Sequence, residues 1–186
     1  ETIELPPYTM IGATTEAGTL SSPLRSRFSQ TLQLEPYTIT ELSQIITNAS
    51  HMISFSVPDD VAFEIAKRSR FTARTAIGFL NWYYEYITAT DKSIDSDSVQ
   101  EAFELKDVDE HGLTKLDRSY LSILAENRGA VGLGTLAIAL GENEKTLEQT
   151  VEPYLLQAGY IRRTTRGCIA QDKAHAIIQC KERSVA

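Results

Sequence analysis

The chain is poor in the residues that most often announce chemistry: it has two cysteines, three histidines and one tryptophan in 186 residues. Cys168 and Cys180 show no metal-ligand spacing, so they read as reduced thiols rather than as a metal site or a disulfide framework. His51, His111 and His175 are scattered and form no HxxxH or HExxH pattern, and no metal ligand set is expected. No apolar run approaches the length of a membrane span. The opening Glu1-Thr-Ile-Glu-Leu-Pro-Pro7 is neither a signal nor a transit peptide. A cytoplasmic protein with no membrane partner is the expectation. The start also lacks an initiator Met, so the chain reads as a segment of a longer one. Neither a GxxxxGK(S/T) phosphate loop nor an acidic Walker B strand occurs anywhere. Nor is there a surplus of positive charge: the net charge of −7 speaks against a general nucleic-acid coat.

What is present describes an ordinary globular chain, with 42% hydrophobic and 23% charged residues. Its length suits one large domain or two small ones. The charge is unevenly spread. Residues 1–107 carry 8 basic and 15 acidic side chains, whereas residues 108–186 carry 10 of each. The second half is the more basic, so a local cluster there can still reach phosphate.

Residues 8–13 are a short apolar run after Pro6-Pro7 and suit a buried strand of an α/β sheet. Such a strand needs neighbours, and none is apparent nearby, so residues 1–30 are expected to pack poorly or to borrow a partner chain. Leu32-Gln-Leu-Glu-Pro36 reads as an extended exit. From Thr38 the pattern turns helical. Thr38-Ile-Thr-Glu41 has capping-box spacing, followed by Leu42, Ile45, Ile46 and Ala49 on one face. Val57-Pro58-Asp59-Asp60 opens a second helix with Val61, Ala62, Ile65 and Ala66 inward. A third starts near Thr72 and runs through Ala76, Leu80, Tyr83, Tyr84 and Ile87. Asp95-Ser-Asp-Ser98 starts a fourth with Val99, Ala102, Phe103 and Leu105. These four short helices make a small helical domain.

Asp107-Val-Asp-Glu-His-Gly112 is polar and reads as a linker. A helix with Leu116, Tyr120, Leu121, Ile123 and Leu124 follows, then a short helix from Leu136 to Leu140. After a glycine turn at Gly141-Glu-Asn143 comes a helix from Glu144 to about Ala158. Gly159 to Thr165 and Cys168 to Ala170 read as two strands around Arg166-Gly167. Helix-turn-helix followed by a hairpin is a winged helix.

Three places carry candidate chemistry. Arg162, Arg163 and Arg166 sit within five residues on the hairpin, where guanidinium groups suit phosphate. The helix beside them carries Glu142, Glu144, Glu148 and Glu152 against Lys145 alone, which opposes base reading and leaves backbone contact and protein contact both open. Lys67, Arg68, Arg70 and Arg74 gather at the end of one helix and the start of the next. Compensation of the C-terminal dipole accounts for Lys67 and Arg68. It does not account for Arg74, whose place in a first helical turn is easier to understand if an anion binds beside it. Thr15 ends the opening strand, where α/β sheets put ligand chemistry, and Arg25 and Arg27 follow within reach of a phosphate of the same or a neighbouring subunit.

Taken in order, Ile11-Gly-Ala-Thr-Thr15, Ser21-Ser-Pro-Leu-Arg-Ser-Arg-Phe28, Asp107-Val-Asp109, Leu116-Asp-Arg118, Val131-Gly-Leu133, Glu152-Pro-Tyr-Leu155 and Thr165-Arg-Gly167 resemble the RuvB family of Holliday junction branch-migration motors. The resemblance runs nearly end to end and covers the last part of such a protein. It implies a mainly α chain: 1–36 as the end of the AAA+ ATPase domain, 37–107 as a four-helix lid, and 108–186 as a winged-helix domain. It implies sensor 1 at Thr15, the arginine finger at Arg27 with Arg25 beside it, sensor 2 at Arg74, and a DNA-contacting arginine at Arg166. For the intact protein it implies ATP and Mg as cofactors, a homo-hexameric ring, duplex or branched DNA as substrate and a RuvA-like partner. With no phosphate loop, this stretch alone is expected to bind neither cofactor and to be inactive.

The sequence departs from the family pattern at several positions. Phe71-Thr-Ala73 stands for the usual Gly-Thr-Pro, and Glu16 follows Thr15 where a basic residue is usual. Gly78-Phe-Leu-Asn-Trp-Tyr-Tyr84 lacks the lid arginines, and Cys168 replaces a basic residue. The alternative is a non-catalytic winged-helix binding module from a degenerate paralogue.

Overall fold

The computed structural model describes residues 6–127 and 129–185, with side chains as far as residue 178. The thiol reading of Cys180 and the opening Glu1-Thr-Ile-Glu-Leu5 lie outside the described residues. The chain divides into two compact units, Glu1–Glu35 and Pro36–Ala186.

In the first unit the anticipated strand is absent. Tyr8 to Thr14 has no regular structure, and Tyr8, Met10 and Ile11 are 71%, 54% and 90% exposed. A strand is held by hydrogen bonds to its neighbours, and no paired neighbour occurs among the described residues of this unit. What order there is comes from a 3-10 turn at Ala17–Thr19, helix α1 (Ser22–Arg25) and the Phe28 ring resting over the Gly12 backbone.

The second unit contains two hydrophobic cores. The first is built by α2 (Ile39–Met52), α3 (Asp59–Arg68), α4 (Ala73–Thr90) and α5 (Ser96–Leu105). Thr38 and Glu41 form a capping box at the start of α2, so two backbone donors that the helix cannot use are satisfied. Asp95 and Ser98 do the same for α5. Leu42, Ile46, Val61, Ile65, Leu80, Tyr83 and Phe103 are almost wholly buried, each such burial contributing roughly 1.5–3 kcal/mol. Tyr84, 40% exposed, lies against Phe55 edge to face, and Leu105, 72% exposed, ends α5.

The stretch read as a linker is a built loop. Val108 is buried in the first core and Leu113 in the second. Between them the Asp109 carboxylate accepts the backbone N–H groups of His111 and Leu113, each at 3.0 Å.

The second core lies among α6 (Lys115–Glu126), α7 (Leu133–Leu140), α8 (Glu144–Thr146), a π-helical turn (Leu147–Val151), α9 (Glu152–Gln157), strands β1 (Ile161–Thr164) and β2 (Gly167–Ala170), and α10 (Asp172–Val185). The strands pair antiparallel, Arg162 opposite Ile169 and Arg163 opposite Cys168. Val131 bridges to Cys168 at the hairpin edge. A Cβ on Gly167, at φ +126, would meet the Val131 carbonyl oxygen at 2.1 Å, so only glycine fits there. The helix anticipated from Glu144 to Ala158 is thus interrupted. Pro153 has no N–H for a regular i−4 bond, and ahead of it the Glu152 N–H bonds to Leu147 O, five residues back.

Candidate nucleotide and nucleic-acid surfaces

The cations between α3 and α4 have separate fates. Lys67 pairs with Glu64 at 2.8 Å. Arg68 is 2% exposed, donating to Glu64 and to Gln100 with its guanidinium over the Phe103 ring. Arg70 turns toward α6, where it donates to Gly112 O and pairs with Asp117. Arg74 alone of these four cations stands exposed in the first turn of α4, an 18-residue helix with no acidic residue in that turn. The N-cap hydroxyl of Thr72 accepts from Thr75 N at 3.3 Å, and the first amides remain unused by the helix. A cation beside those amides makes an anion-binding corner.

In the first unit Thr15 is exposed at a bend. Arg25 closes α1 and Arg27 follows one turn residue later, both exposed. The donors offered here are a hydroxyl and guanidinium groups, which fit the phosphates of a nucleotide. No group of three or more His, Cys, Asp or Glu that could hold a metal ion occurs among the described residues.

On the wing, Arg162 and Arg166 are exposed, Arg166 in the turn with its N–H on Thr164 Oγ1. Arg163 is engaged differently. It donates to Glu152 at 2.7 Å and to Glu148 at 3.3 Å, and the Glu152 charge holds its proton still more firmly than usual. Glu152, counted from sequence among four carboxylates that oppose base reading, is 2% exposed. It accepts the Tyr120 hydroxyl at 2.8 Å and the Cys168 thiol at 3.5 Å. Burial raises the Cys168 pKa, so the thiol stays protonated and unreactive. Sequence reasoning missed Glu152 because α-helical spacing from Leu147 and Val151 puts it on the outer face. The signal was Pro153, which lacks the N–H that a regular helix would use there.

A four-helix unit leading into a helix-turn-helix and an antiparallel hairpin is the architecture of a small helical domain followed by a winged helix. Family models match along the chain: the RuvB AAA lid domain over residues 37–109, the RuvB C-terminal winged helix domain over 110–179, and the Holliday junction DNA helicase RuvB P-loop domain over 1–34. The Holliday junction branch migration complex subunit RuvB of Nitratiruptor sp. is 46% identical across 95% of this chain and 53% of its own length. That of Corynebacterium aurimucosum is 44% identical across 90% of this chain and 47% of its own. A solved Thermotoga maritima RuvB Holliday junction branch migration motor superposes with a TM-score of 0.76 at 41% identity, covering 87% of this chain and 55% of the other. A point mutant of Thermotoga maritima RuvB gives 0.79 at 42% identity, covering 95% of this chain and 60% of the other. The chain belongs to the RuvB family. It spans about half the length of the curated relatives it matches.

Proposed function

We propose that this chain is the C-terminal part of an ATP-dependent Holliday junction branch-migration helicase, working in recombination and repair in the cytoplasm. The observation that carries the reading is the RuvB-type lid and winged helix in one chain, 46% identical to a named branch migration subunit. The proposed divisions are 1–36 for the end of the ATPase domain, 37–107 for the lid and 108–186 for the winged helix. In the intact homo-hexamer, Thr15 senses the terminal phosphate and Arg27, with Arg25 beside it, reaches a neighbouring subunit's nucleotide. Arg74 contacts nucleotide from the lid. ATP with Mg supplies phosphoryl-transfer chemistry when bound; the part of these residues is to neutralise and orient charge. Arg166, with Arg162, contacts the DNA backbone, and a RuvA-like protein presents the junction. The 186 residues alone do not hydrolyse ATP.

Arg27→Ala in the intact protein tests the assignment. The expected outcome is a fall in kcat of about 10³-fold or more in the assembled ring; unchanged hydrolysis removes the finger. The alternative, a non-catalytic binding module, draws on the acidic turn at Glu142 and Glu144, both exposed. Duplex binding that is absent at low salt, or indifferent to salt, would favour it.

A further inference from the structure

The turn between α3 and α4 is held from outside the lid. Arg70 and Phe71 have φ of +50 and +59, a left-handed pair that residues with a Cβ seldom adopt. Phe71 carries a bulky side chain at a φ that glycine suits best, so the conformation needs support from its surroundings. The holding contacts come from three places in the winged-helix half. From the loop before α6, Gly112 O accepts the Arg70 Nε–H at 2.9 Å. From the first turn of α6, the Asp117 carboxylate, 1% exposed, accepts from the neighbouring Nη2 of the same guanidinium. From α9, the Tyr154 ring lies under the guanidinium at 4.9 Å and against the Phe71 ring at 6.0 Å.

Each of these parts is itself fixed. Asp117 also accepts from Thr114 N and Oγ1, so one carboxylate caps α6 and grips the lid. Tyr154 donates its hydroxyl to His111 O. Gly112, at φ +73, backs onto α3 so closely that a Cβ would lie 2.6 Å from Arg68 O. Arg118 reaches back to Asp107 and donates to Leu113 O at 2.6 Å. A single ion pair would leave the two halves free to pivot. A planar guanidinium held at two of its nitrogens and stacked on one face does not.

We infer that Arg70 is a positioning residue that latches the lid to the winged helix, so that the first turn of α4, with Arg74, and the wing move as one body. Arg74 lies four residues beyond Arg70, hence a displacement of that turn by nucleotide phosphate is carried to the DNA-contacting hairpin. The transmission to DNA rests on the function proposed above; the latch does not.

The test removes the latch without disturbing the turn. Arg70→Gly suits the left-handed backbone, and Arg70→Asn tolerates it with a side chain too short to reach Asp117. Spin labels at Glu85→Cys on α4 and Glu142→Cys after α7, both exposed positions, with Cys180→Ser, report the distance between the halves. One narrow distance is expected in the parent. A broadened or shifted one is expected in both variants, with helical circular dichroism retained. The parent's narrow distance in either folded variant overturns the latch. In the intact protein, both variants are expected to keep basal ATP hydrolysis and duplex affinity and to lose the stimulation of hydrolysis by DNA. Stimulation retained alongside a broadened distance overturns the transmission alone. A parent that hydrolyses no ATP overturns the proposed function and leaves the distance measurement to decide the latch.

Discussion

Arg163 and Arg166 are three residues apart on one hairpin, yet their surroundings assign them different work. Arg163 neutralises Glu152, a buried carboxylate whose remaining partners are the Tyr120 hydroxyl and the Cys168 thiol. Arg166 faces solvent in the turn. Arg166→Ala is therefore expected to lower the slope of log binding constant against log salt by about one and to weaken duplex binding evenly across sequences. Arg163→Ala is expected to leave Glu152 without its cation and to cost about 2 kcal/mol in urea denaturation, below the fully buried case because Arg163 is 52% exposed. A slope change as large as that of Arg166→Ala would instead make Arg163 a phosphate ligand. The tyrosines of the same core set its alkaline limit. Burial, with the Asp109 charge nearby, pushes Tyr160 up to about 12, and burial moves Tyr120 and Tyr154 in the same direction. Below about pH 10 these phenols are neutral folded or unfolded. Above it the unfolded chain sheds protons that the folded chain keeps, so stability falls as pH rises from about 10 toward 12. Thermal melts across that window, with phenolate absorbance followed alongside, check it; a flat Tm means these rings ionise without unfolding.

At the scale of elements, the helix starts were the most legible part of the sequence. Thr38 with Glu41 and Asp95 with Ser98 cap through local hydrogen bonds, which depend on residues within a few positions and so can be read along the chain. Thr38→Ala is expected to cost about 1 kcal/mol, seen as faster amide exchange in the first turn of α2; unchanged exchange would mean that packing of Leu42 and Ile46 holds that turn without its cap. The opening strand and the π turn were not legible, for opposite reasons. Residues 8–13 have strand composition, but a strand is completed by other strands, and composition does not supply them. In α8 to α9 the apolar positions Leu147, Val151 and Leu155 keep a regular spacing, while the wide turn ahead of Pro153 swings Glu152 inward beneath them. Of the candidate sites, exposed Arg74 and Arg166 could be picked out by their position at a helix start and a hairpin turn. Arg70 could not, because its partners Gly112, Asp117 and Tyr154 lie more than 40 residues away.

At the scale of the whole molecule, the two units are unequal in what sustains them. Pro36–Ala186 has two cores of its own, whereas Glu1–Glu35 leaves Ile11, Leu32 and Leu34 83–91% exposed. Apolar side chains in that number on so short a segment call for cover, and the backbone of Tyr8 to Thr14 has its donors and acceptors unspent on a sheet. In the longer protein proposed above, an ATPase-domain sheet supplies both. Amide exchange measures the difference directly, since exchange of a ladder amide needs local opening whereas an unpaired one exchanges freely. In this 186-residue chain, amides from Thr9 to Thr14 are expected to exchange at nearly the unprotected rate while those of α4 are slow. In the intact protein the same amides are expected to slow by orders of magnitude and those of α4 to change little. Equal and fast exchange of Thr9 to Thr14 in both would mean that this segment is no strand in either. Thr15 would then not sit at a strand end, and its assignment as the residue sensing the terminal phosphate would fail with it.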